Sequence, residues 1–585
     1  MATEEIVRYY RFALDPNPET LKALERYAGA SRWAFNHAHA HLLDQYRAFD
    51  ERVQVHAQEL SGLSAEDIAE TLPKTERVKL FKQARTIVQG ENRERCKDLK
   101  IIDEHRKRVV HKGAPTLDPG ELDEDASPMA RELHARRVEL AAVQASDPKQ
   151  YAKLKKAELA DVRPQVLKLK KQLVSEGAYR PGGMDIEALW RSTRDLPKDQ
   201  GGSPWYSGIN VYAFTSGFGR ADEAWKNFMN SAAGKRAGKR VGMPRFKKKG
   251  RARDSFALYH DVKNPAIRLD DPRHLTMPGI GTVRLEAHAR RLRRVLRRGQ
   301  AVISSVTVTR GAHRWYASVL CRVQQEIPDR PTKRQRANGL VAVDLGSQPL
   351  AVLSAPLDIA DPESRYFAAD KPGAAASKRL ARAQRALSRC AKGSKRRRQA
   401  AQRVAKIHHL TAERRATHLH HVSKRLATGA AAIAIEGFDL TELTASARGT
   451  MDAPGTDVKV RSQFNRSLLD SGLGDLRQQL AYKTRWNGST LVVLDKNEPT
   501  ATKCSKCDTR NPTVTPGHKR FNCPSCGHDV DRRHNAAASI LKAARREYAS
   551  VAPDRGDTQN ARGGAANPVP ETEPAATPMK RPPPA

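Results

Sequence analysis

The stretch CSKCDTRNPTVTPGHKRFNCPSCGHDVDRRHNAAASIL, from Cys504 to Leu541, constrains this chain more than any other. Two CxxC pairs, Cys504/Cys507 and Cys523/Cys526, are separated by fifteen residues. A reduced chain builds a four-thiolate zinc ribbon from this arrangement. Each pair offers two sulfurs from one tight knuckle, and Gly527 lets the backbone turn after the second. Seven cysteines in 585 residues, and an opening MATEEIVRYY with early acids and no apolar core, argue against a secreted disulfide scaffold. DVDRRHNAAASIL then reads as a helix entered through polar residues and continued by Ala536, Ala537, Ala538 and Ile540. The expectation is one structural zinc held by Cys504, Cys507, Cys523 and Cys526. Cys96, Cys321 and Cys390 stand apart from the pattern.

The formal charge of +39 implies a polyanionic partner, and nucleic acid is the commonest. A membrane role would need an apolar run of about 18 residues or an amphipathic anchor, and neither is visible. The chain is expected to be cytoplasmic and to have no membrane partner. Its cations are concentrated in two runs. Ten Lys or Arg crowd the nineteen residues from Lys235 to Arg253, and the first acid is Asp254. Between Lys378 and Arg425 there are sixteen Lys or Arg and one acid, Glu413. An ordinary exposed helix interleaves both signs. Lys247, Lys248, Lys249 and Arg251 in the first run, and Lys395, Arg396, Arg397 and Arg398 in the second, are therefore candidate phosphate contacts. The five histidines of the second run read as surface or packing groups.

Along the chain, residues 1–15 alternate like a strand, which Pro16-Asn17-Pro18 ends. Helical periodicity follows from Glu19, with Leu21, Leu24, Tyr27, Trp33 and Phe35 facing a core. From about 50 to 200 the chain is charged and helical, and residues 147–178 read as a helical hairpin interrupted near Pro164. A helix around Ala221–Met229 precedes the first basic run. Residues 267–325 alternate in short stretches, as strands of a small β-barrel do. VAVDLGSQPLAVLSA supplies a β-hairpin with Gly346 at its turn, residues 376–428 form one long basic helical stretch, and Ala431–Ile435 is an apolar strand. A helix over 465–486 and a strand over 489–495 lead into the ribbon. From about 550 the chain is rich in Pro, Ala and Gly without periodicity, and should be disordered.

Three of these motifs together resemble the RuvC-type nuclease domain of the TnpB and type V CRISPR effector superfamily. The ribbon matches its pattern of CxxC, CxxCG and D-R-D-x-N-A-A. GLVAVDLGSQPLAV at 339–352 resembles the first RuvC strand, with Asp344 at the carboxylate position, and AAIAIEGFDL at 431–440 resembles the strand carrying Glu436. The resemblance implies a multidomain α+β fold. A split β-barrel wedge domain (1–15 and 266–336) would hold an inserted helical recognition lobe (16–265). An RNase H-like (RuvC) α/β domain (337–495 with a last helix at 529–549) would carry a zinc-ribbon insertion (496–528) and a disordered tail (550–585).

The same resemblance implies magnesium bound by a carboxylate cluster, with Asp344 and Glu436 as two of its ligands. Counting from Cys526 and Gly527 to Asn535, however, places the third catalytic Asp of the family on Arg533. Asp529 and Asp531 lie nearby, and Asp531 could serve only if the start of the helix were re-registered. The likeness is nearest to the miniature type V-M branch, which binds targets and silences transcription without cutting. The implied partners are a guide CRISPR RNA and a double-stranded DNA target, with one chain per guide RNA, acting on the bacterial nucleoid. The alternatives are an active RNA-guided endonuclease using Asp344, Glu436 and Asp531, and an unguided zinc-ribbon accessory protein. A residual pocket that trims precursor RNA also stays open.

Replacing Lys395, Arg396, Arg397 and Arg398 together by Gln should weaken nucleic-acid binding on every sequence alike. In a salt titration the slope should flatten by about 1 for every phosphate that the chain ceases to neutralise. An unchanged affinity and slope would return this run to plain solvated surface.

Overall fold

Alternating exposure along residues 3–15 makes the first element a strand, β1 (Ala2–Asp15), and the residues that stop it also start a helix. The Asn17 side chain accepts a hydrogen bond from the Thr20 amide at 2.8 Å, and Pro18 fills the first turn of α1 (Pro18–Ser61). The computed structural model describes residues 2–551, apart from 111–115, 124, 198–203, 237, 262–264, 312, 359, 450–452 and 516. The expected tail beyond 551 lies outside the described residues. The chain forms two units, one of Thr3–Glu326 with Gly393–Lys406, the other of Ile327–Lys392 with the chain from Ile407 on.

In the first unit, α1 is followed by α2 (Ala65–Thr71), α3 (Lys74–Arg95), α4 (Lys97–Val110), α5 (Pro128–Ser146), α6 (Pro148–Ser175), α7 (Gly183–Arg194) and α8 (Val211–Ala232). Then come β2 (Ser255–Tyr259), β3 (Arg268–Asp271), β4 (His274–Met277), β5 (Gly281–Leu285), α9 (Arg290–Arg297), β6 (Ala301–Arg310) and β7 (Trp315–Ile327). The strands make one curled sheet in the order β2-β6-β7-β1-β5-β4-β3. Its two end strands, β2 and β3, share no ladder among the described residues, so the expected closed barrel is here an open sheet. Short ends explain this, because β3 has four residues and an irregular register against β4. The sheet also recruits β2 from before residue 266, within the stretch expected to be helical, and buries Phe256, Ala257 and Leu258.

The sheet shares one core with α1, α7 and α8, built on Leu24, Tyr27, Phe35, Trp190, Phe218 and Trp225. Helices α1 and α8 approach so closely at Gly217 that a Cβ there would collide with the Ser31 carbonyl oxygen and lie 2.7 Å from the Ala34 Cβ. The helix expected around Ala221–Met229 is α8, which begins ten residues earlier, at Val211, because Asn210 caps it.

A second core joins α4, α5 and α6 through Leu99, Ile102, Leu133, Val162, Val166 and Leu173. Here the expectation of a break near Pro164 fails, since α6 runs through that residue without interruption. The hairpin turns at Asp147 instead, whose carboxylate accepts from the amides of Lys149 (2.8 Å) and Gln150 (3.0 Å). The hydrogen bond that Pro164 cannot make is offset by burial of Val162 and Val166 on either side of it.

The second unit comprises α10 (Lys333–Asn338), β8 (Leu340–Leu345), β9 (Ala351–Leu353), β10 (Tyr366–Phe367), α11 (Pro372–Ser388), the part of α12 (Lys395–Gly429) from Ile407 on, β11 (Ala432–Ile435), α13 (Leu440–Leu443), α14 (Val458–Ser471), α15 (Leu473–Trp486), β12 (Thr490–Val493), β13 (Arg520–Asn522), β14 (Asp529–Asp531) and α16 (Arg532–Val551). Its main sheet has the order β10-β9-β8-β11-β12. Strands β8, β11 and β12 run parallel, and β9 runs against both of its neighbours. The parallel strands read as unbroken apolar runs because both faces are covered. Val341, Val343, Ile433 and Ile435 pack with Leu419, Leu426, Leu476 and Leu480 on one side. Ala342, Ala434 and Val492 meet Ile540 and Ala544 of α16 on the other.

The basic stretch expected as one helix is two, α11 and α12, with the second capped by the Ser394 hydroxyl at the Arg397 amide (3.1 Å). The helix expected over 465–486 is likewise two, α14 and α15, separated by Gly472. No helix among the described residues is long and apolar enough to cross a membrane.

Gly217→Ala should destabilise the chain by about 1–3 kcal/mol, because α1 and α8 must separate to admit one methyl group. Urea unfolding of the full chain measures this, and an unchanged midpoint would mean that the two helices are not held at this distance.

Candidate carboxylate pocket and cysteine ribbon

The four cysteine sulfurs lie within 4.8 Å of one another. Cys507 Sγ is 3.5 Å from Cys523 Sγ, and Cys504 Sγ is 3.8 Å from Cys526 Sγ. A tetrahedron of thiolates around zinc, with bonds of about 2.3 Å, has edges of roughly 3.8 Å. The donor set fits zinc and leaves no open position. Two matching knuckles make it. The Asp508 amide bonds to the Cys504 carbonyl and the Gly527 amide to the Cys523 carbonyl, each at 3.0 Å. Both turns finish in the left-handed region, at Asp508 (φ 64) and Gly527 (φ 66). Phe521, fully buried, packs with Cys504 and Cys523 in one small core.

The ribbon is fastened to α16 by Asn535. Its side chain donates to the Lys503 carbonyl at 2.8 Å and accepts from the Ser505 amide at 2.9 Å, and the Ser539 hydroxyl reaches the same Lys503 carbonyl at 3.0 Å. Asn535 is buried. Replacing it would therefore strand polar groups of the first knuckle.

Asp344 is the penultimate residue of β8 and Glu436 directly follows β11. The parallel register pairs Val343 with Ile435, so the two carboxylates come side by side at the carboxyl ends of adjacent strands. Glu436 accepts from the Thr500 hydroxyl at 2.9 Å, and burial together with the charge of Asp344 pushes its carboxyl up. Arg533, in the first turn of α16, closes over Asp344. Its Nε lies 2.5 Å from Asp344 Oδ2, its Nη2 donates to the Asp344 carbonyl at 2.8 Å, and its Nη1 donates to the Pro349 carbonyl. A Cβ on Gly346 would stand 2.7–2.9 Å from the guanidinium and would push it off its present partners. Burial raises the Asp344 carboxyl, and the guanidinium opposes that shift.

Asp531 takes no part in this pair. It is exposed, and its carboxylate accepts from the Arg533 and His534 amides at 3.0 Å, which makes it the N-terminal cap of α16. Asp529 is exposed and paired with Arg520 at 2.8 Å. Among the described residues the cysteine set is the only group of three or more candidate metal ligands. The residues present therefore do not fit a carboxylate-bridged magnesium pair, because a guanidinium already holds the Asp344 carboxylate. Gly346 was legible as a turn residue but not as the floor under Arg533. Thr500 and the Pro349 carbonyl carried no motif.

The basic runs prove heterogeneous. The Lys247 ammonium sits 3.5 Å over the Phe35 ring, and burial together with Arg220 pulls its pKa down to about 8. The Lys247 backbone bonds twice to the Asn36 side chain, at 2.7 and 3.0 Å. Lys248, Lys249 and Arg251 are exposed, and Lys248 and Arg251 border a groove of about 830 Å³ that also exposes Phe246. Lys395, Arg396 and Arg398 are exposed. Further along α12, Arg414 pairs with Asp370 at 2.7 Å and Arg415 with Asp470 at 2.6 Å, so these two cations serve the fold. The sequence reading passed over α9, where Arg290, Arg291, Arg294 and Arg297 are exposed around buried Leu292.

Three family models match the chain. One described as "Cas12f1-like, TNB domain" covers residues 474–540 and contains the ribbon. One described as "Probable transposase" covers 318–447 and contains Asp344 and Glu436. One described as "Helix-turn-helix domain" covers 1–51, which here is a strand and the start of a single long helix. Two relatives are provisionally named RNA-guided DNA endonucleases. The one from Mycobacterium tuberculosis is 34% identical over 371 residues, which is 62% of this chain and 75% of that protein. The other, InsQ of Escherichia coli K12, is 29% identical over 323 residues, which is 55% of this chain and 71% of that protein. A solved Cas12f1 complex with single-guide RNA and target DNA superposes loosely. Its TM-score is 0.39 at 12% identity, over 92% of this chain and 99% of that one.

The full chain should contain about one zinc ion. Cys504→Ser should abolish it and lower the melting temperature, because the ribbon and the first turns of α16 share hydrogen bonds. Elemental analysis and a thermal melt read the two effects. A Cys504→Ser protein that keeps both its zinc and its melting temperature would rule out the ribbon as the zinc site.

Proposed function

Since the chain belongs to the family of TnpB/Cas12-like RNA-guided effectors, we propose that it binds double-stranded DNA selected by a guide RNA and leaves that DNA uncut. The observation that carries this reading is the ion pair between Asp344 and Arg533. In relatives built for cutting, the equivalent pocket would supply carboxylates to divalent ions, which polarise the scissile phosphate and activate water. In this chain, one expected ligand is a cation and a second is bound to it.

On this reading the sheet β10-β9-β8-β11-β12 is RNase H-like and its RuvC site is degenerate, with Asp344 and Glu436 as remnants. Its strand directions suit that assignment. The curled sheet of the first unit is the wedge domain, and the helices between β1 and β2 form the recognition lobe. Base pairing with the guide reads the target sequence, while the protein reads a short adjacent motif in the duplex. Lys248, Lys249, Arg251, Lys395, Arg396 and Arg398 hold phosphates, and the exposed arginines of α9 add to that surface. Lys247 contributes chiefly by holding its loop against α1. Occupancy then silences a gene by obstructing transcription or replication, as in the type V-M branch. The guide is a CRISPR RNA, bound by one chain, and the complex works on DNA in the bacterial cytoplasm.

The RNA that copurifies with the chain, once sequenced, defines a matched duplex for the test. With that RNA, the duplex and magnesium, the protein should shift the duplex in a gel and leave both strands intact. Repression of a reporter should persist in Glu436→Gln, which keeps the hydrogen bond from Thr500. Cleavage by the unmodified chain that is lost in Asp531→Ala would replace this reading with an active endonuclease using Asp344, Glu436 and Asp531. Copurified RNA of no defined sequence would favour an unguided zinc-ribbon accessory protein.

A further inference from the structure

We propose that Arg533 is the resident cation of the carboxylate pocket: it occupies the place of a divalent ion at Asp344 and fastens α16 to β8. The proposal deepens the non-cutting reading above and rests on it. Loss of one ligand from a metal site would leave a vacant and weaker site. The pocket is instead built around a guanidinium. All three nitrogens of Arg533 are engaged, with the Asp344 carboxylate at 2.5 Å, the Asp344 carbonyl at 2.8 Å and the Pro349 carbonyl. The flat face of the group lies on Gly346, where any Cβ would be 2.7 Å from it. Only 12% of the Arg533 side chain and 15% of the Asp344 side chain are exposed.

The neighbouring groups complete the arrangement. Glu436 receives its hydrogen bond from the Thr500 hydroxyl at 2.9 Å and takes no part in the contact between Arg533 and Asp344. Asp531 caps the amides of Arg533 and His534, and so fixes the turn from which the guanidinium projects. A divalent ion on Asp344 would sit within a few ångströms of a fixed positive charge in a poorly solvated pocket, where repulsion is strong. It would also have to compete for the oxygen that Arg533 Nε already holds. The cradle is specific to a planar fork. A lysine carries one point charge and cannot reach the carboxylate and two carbonyls together.

Manganese is the probe, used on the zinc-loaded full chain without nucleic acid and followed by bound-ion spectroscopy and thermal melting. The unmodified chain should show no manganese uptake that depends on Asp344 and no change in melting temperature. Arg533→Ala should melt about 5 °C lower, because it strands a buried carboxylate. Manganese should restore most of that stability and become bound, and Asp344→Asn added to Arg533→Ala should remove both effects. Arg533→Lys, which keeps the charge, should also melt lower than the unmodified chain, and this comparison stands if the alanine variant fails to fold.

The proposal is overturned by manganese uptake in the unmodified chain that Asp344→Asn abolishes. It is equally overturned by an Arg533→Lys protein as stable as the original, or by a folded Arg533→Ala protein that takes up no manganese. Uptake without DNA cleavage would sink the resident cation alone. Cleavage by a chain that takes up no manganese at Asp344 would sink only the non-cutting reading.

Discussion

The second unit is arranged around one buried ion pair at a junction of strand and helix. Asp344 comes from the end of a strand whose neighbours are apolar on both faces, so its charge cannot be left there without a partner. Arg533 meets that need from the first turn of the last helix, whose start Asp531 caps. Ile540 and Ala544 of that helix cover one side of the sheet. The polar pair thus sets the register in which a large apolar surface is closed.

The ribbon acts on the same few residues from the other side. Within a single turn and a half, Asp531 caps the helix, Arg533 joins the strand and Asn535 ties the first knuckle. The four-cysteine cluster and the carboxylate pocket are therefore parts of one structural unit, although the cysteines and Asp344 lie far apart in sequence.

What could be read from the sequence was what depends on short-range spacing. The two CxxC pairs, the strand ended by Pro16-Asn17-Pro18, the hairpin at Gly346 and the apolar strands carrying Asp344 and Glu436 all rest on local pattern, and each has its counterpart in the structure. What could not be read depends on partners distant in sequence. Pro164 lies inside a helix because Val162 and Val166 are buried against other helices. Arg415 looked like part of a phosphate-binding run, yet Asp470 had folded back to receive it. Lys247 sits over Phe35, more than two hundred residues earlier. The position of Arg533 in the motif was countable. Its contact with Asp344, its carbonyl partners and its glycine floor were not.

The buried pair also limits what position 533 can hold. A carboxylate placed there would enter a buried pocket that already contains Asp344 and Glu436 and would no longer contain a cation. Such a pocket carries unbalanced charge, so exchanging Arg533 alone for an acid costs stability before any ligand geometry exists. Charge in this way locks the last helix to the first strand of its sheet, and a tolerated change at one end of the pair calls for a matching change at the other.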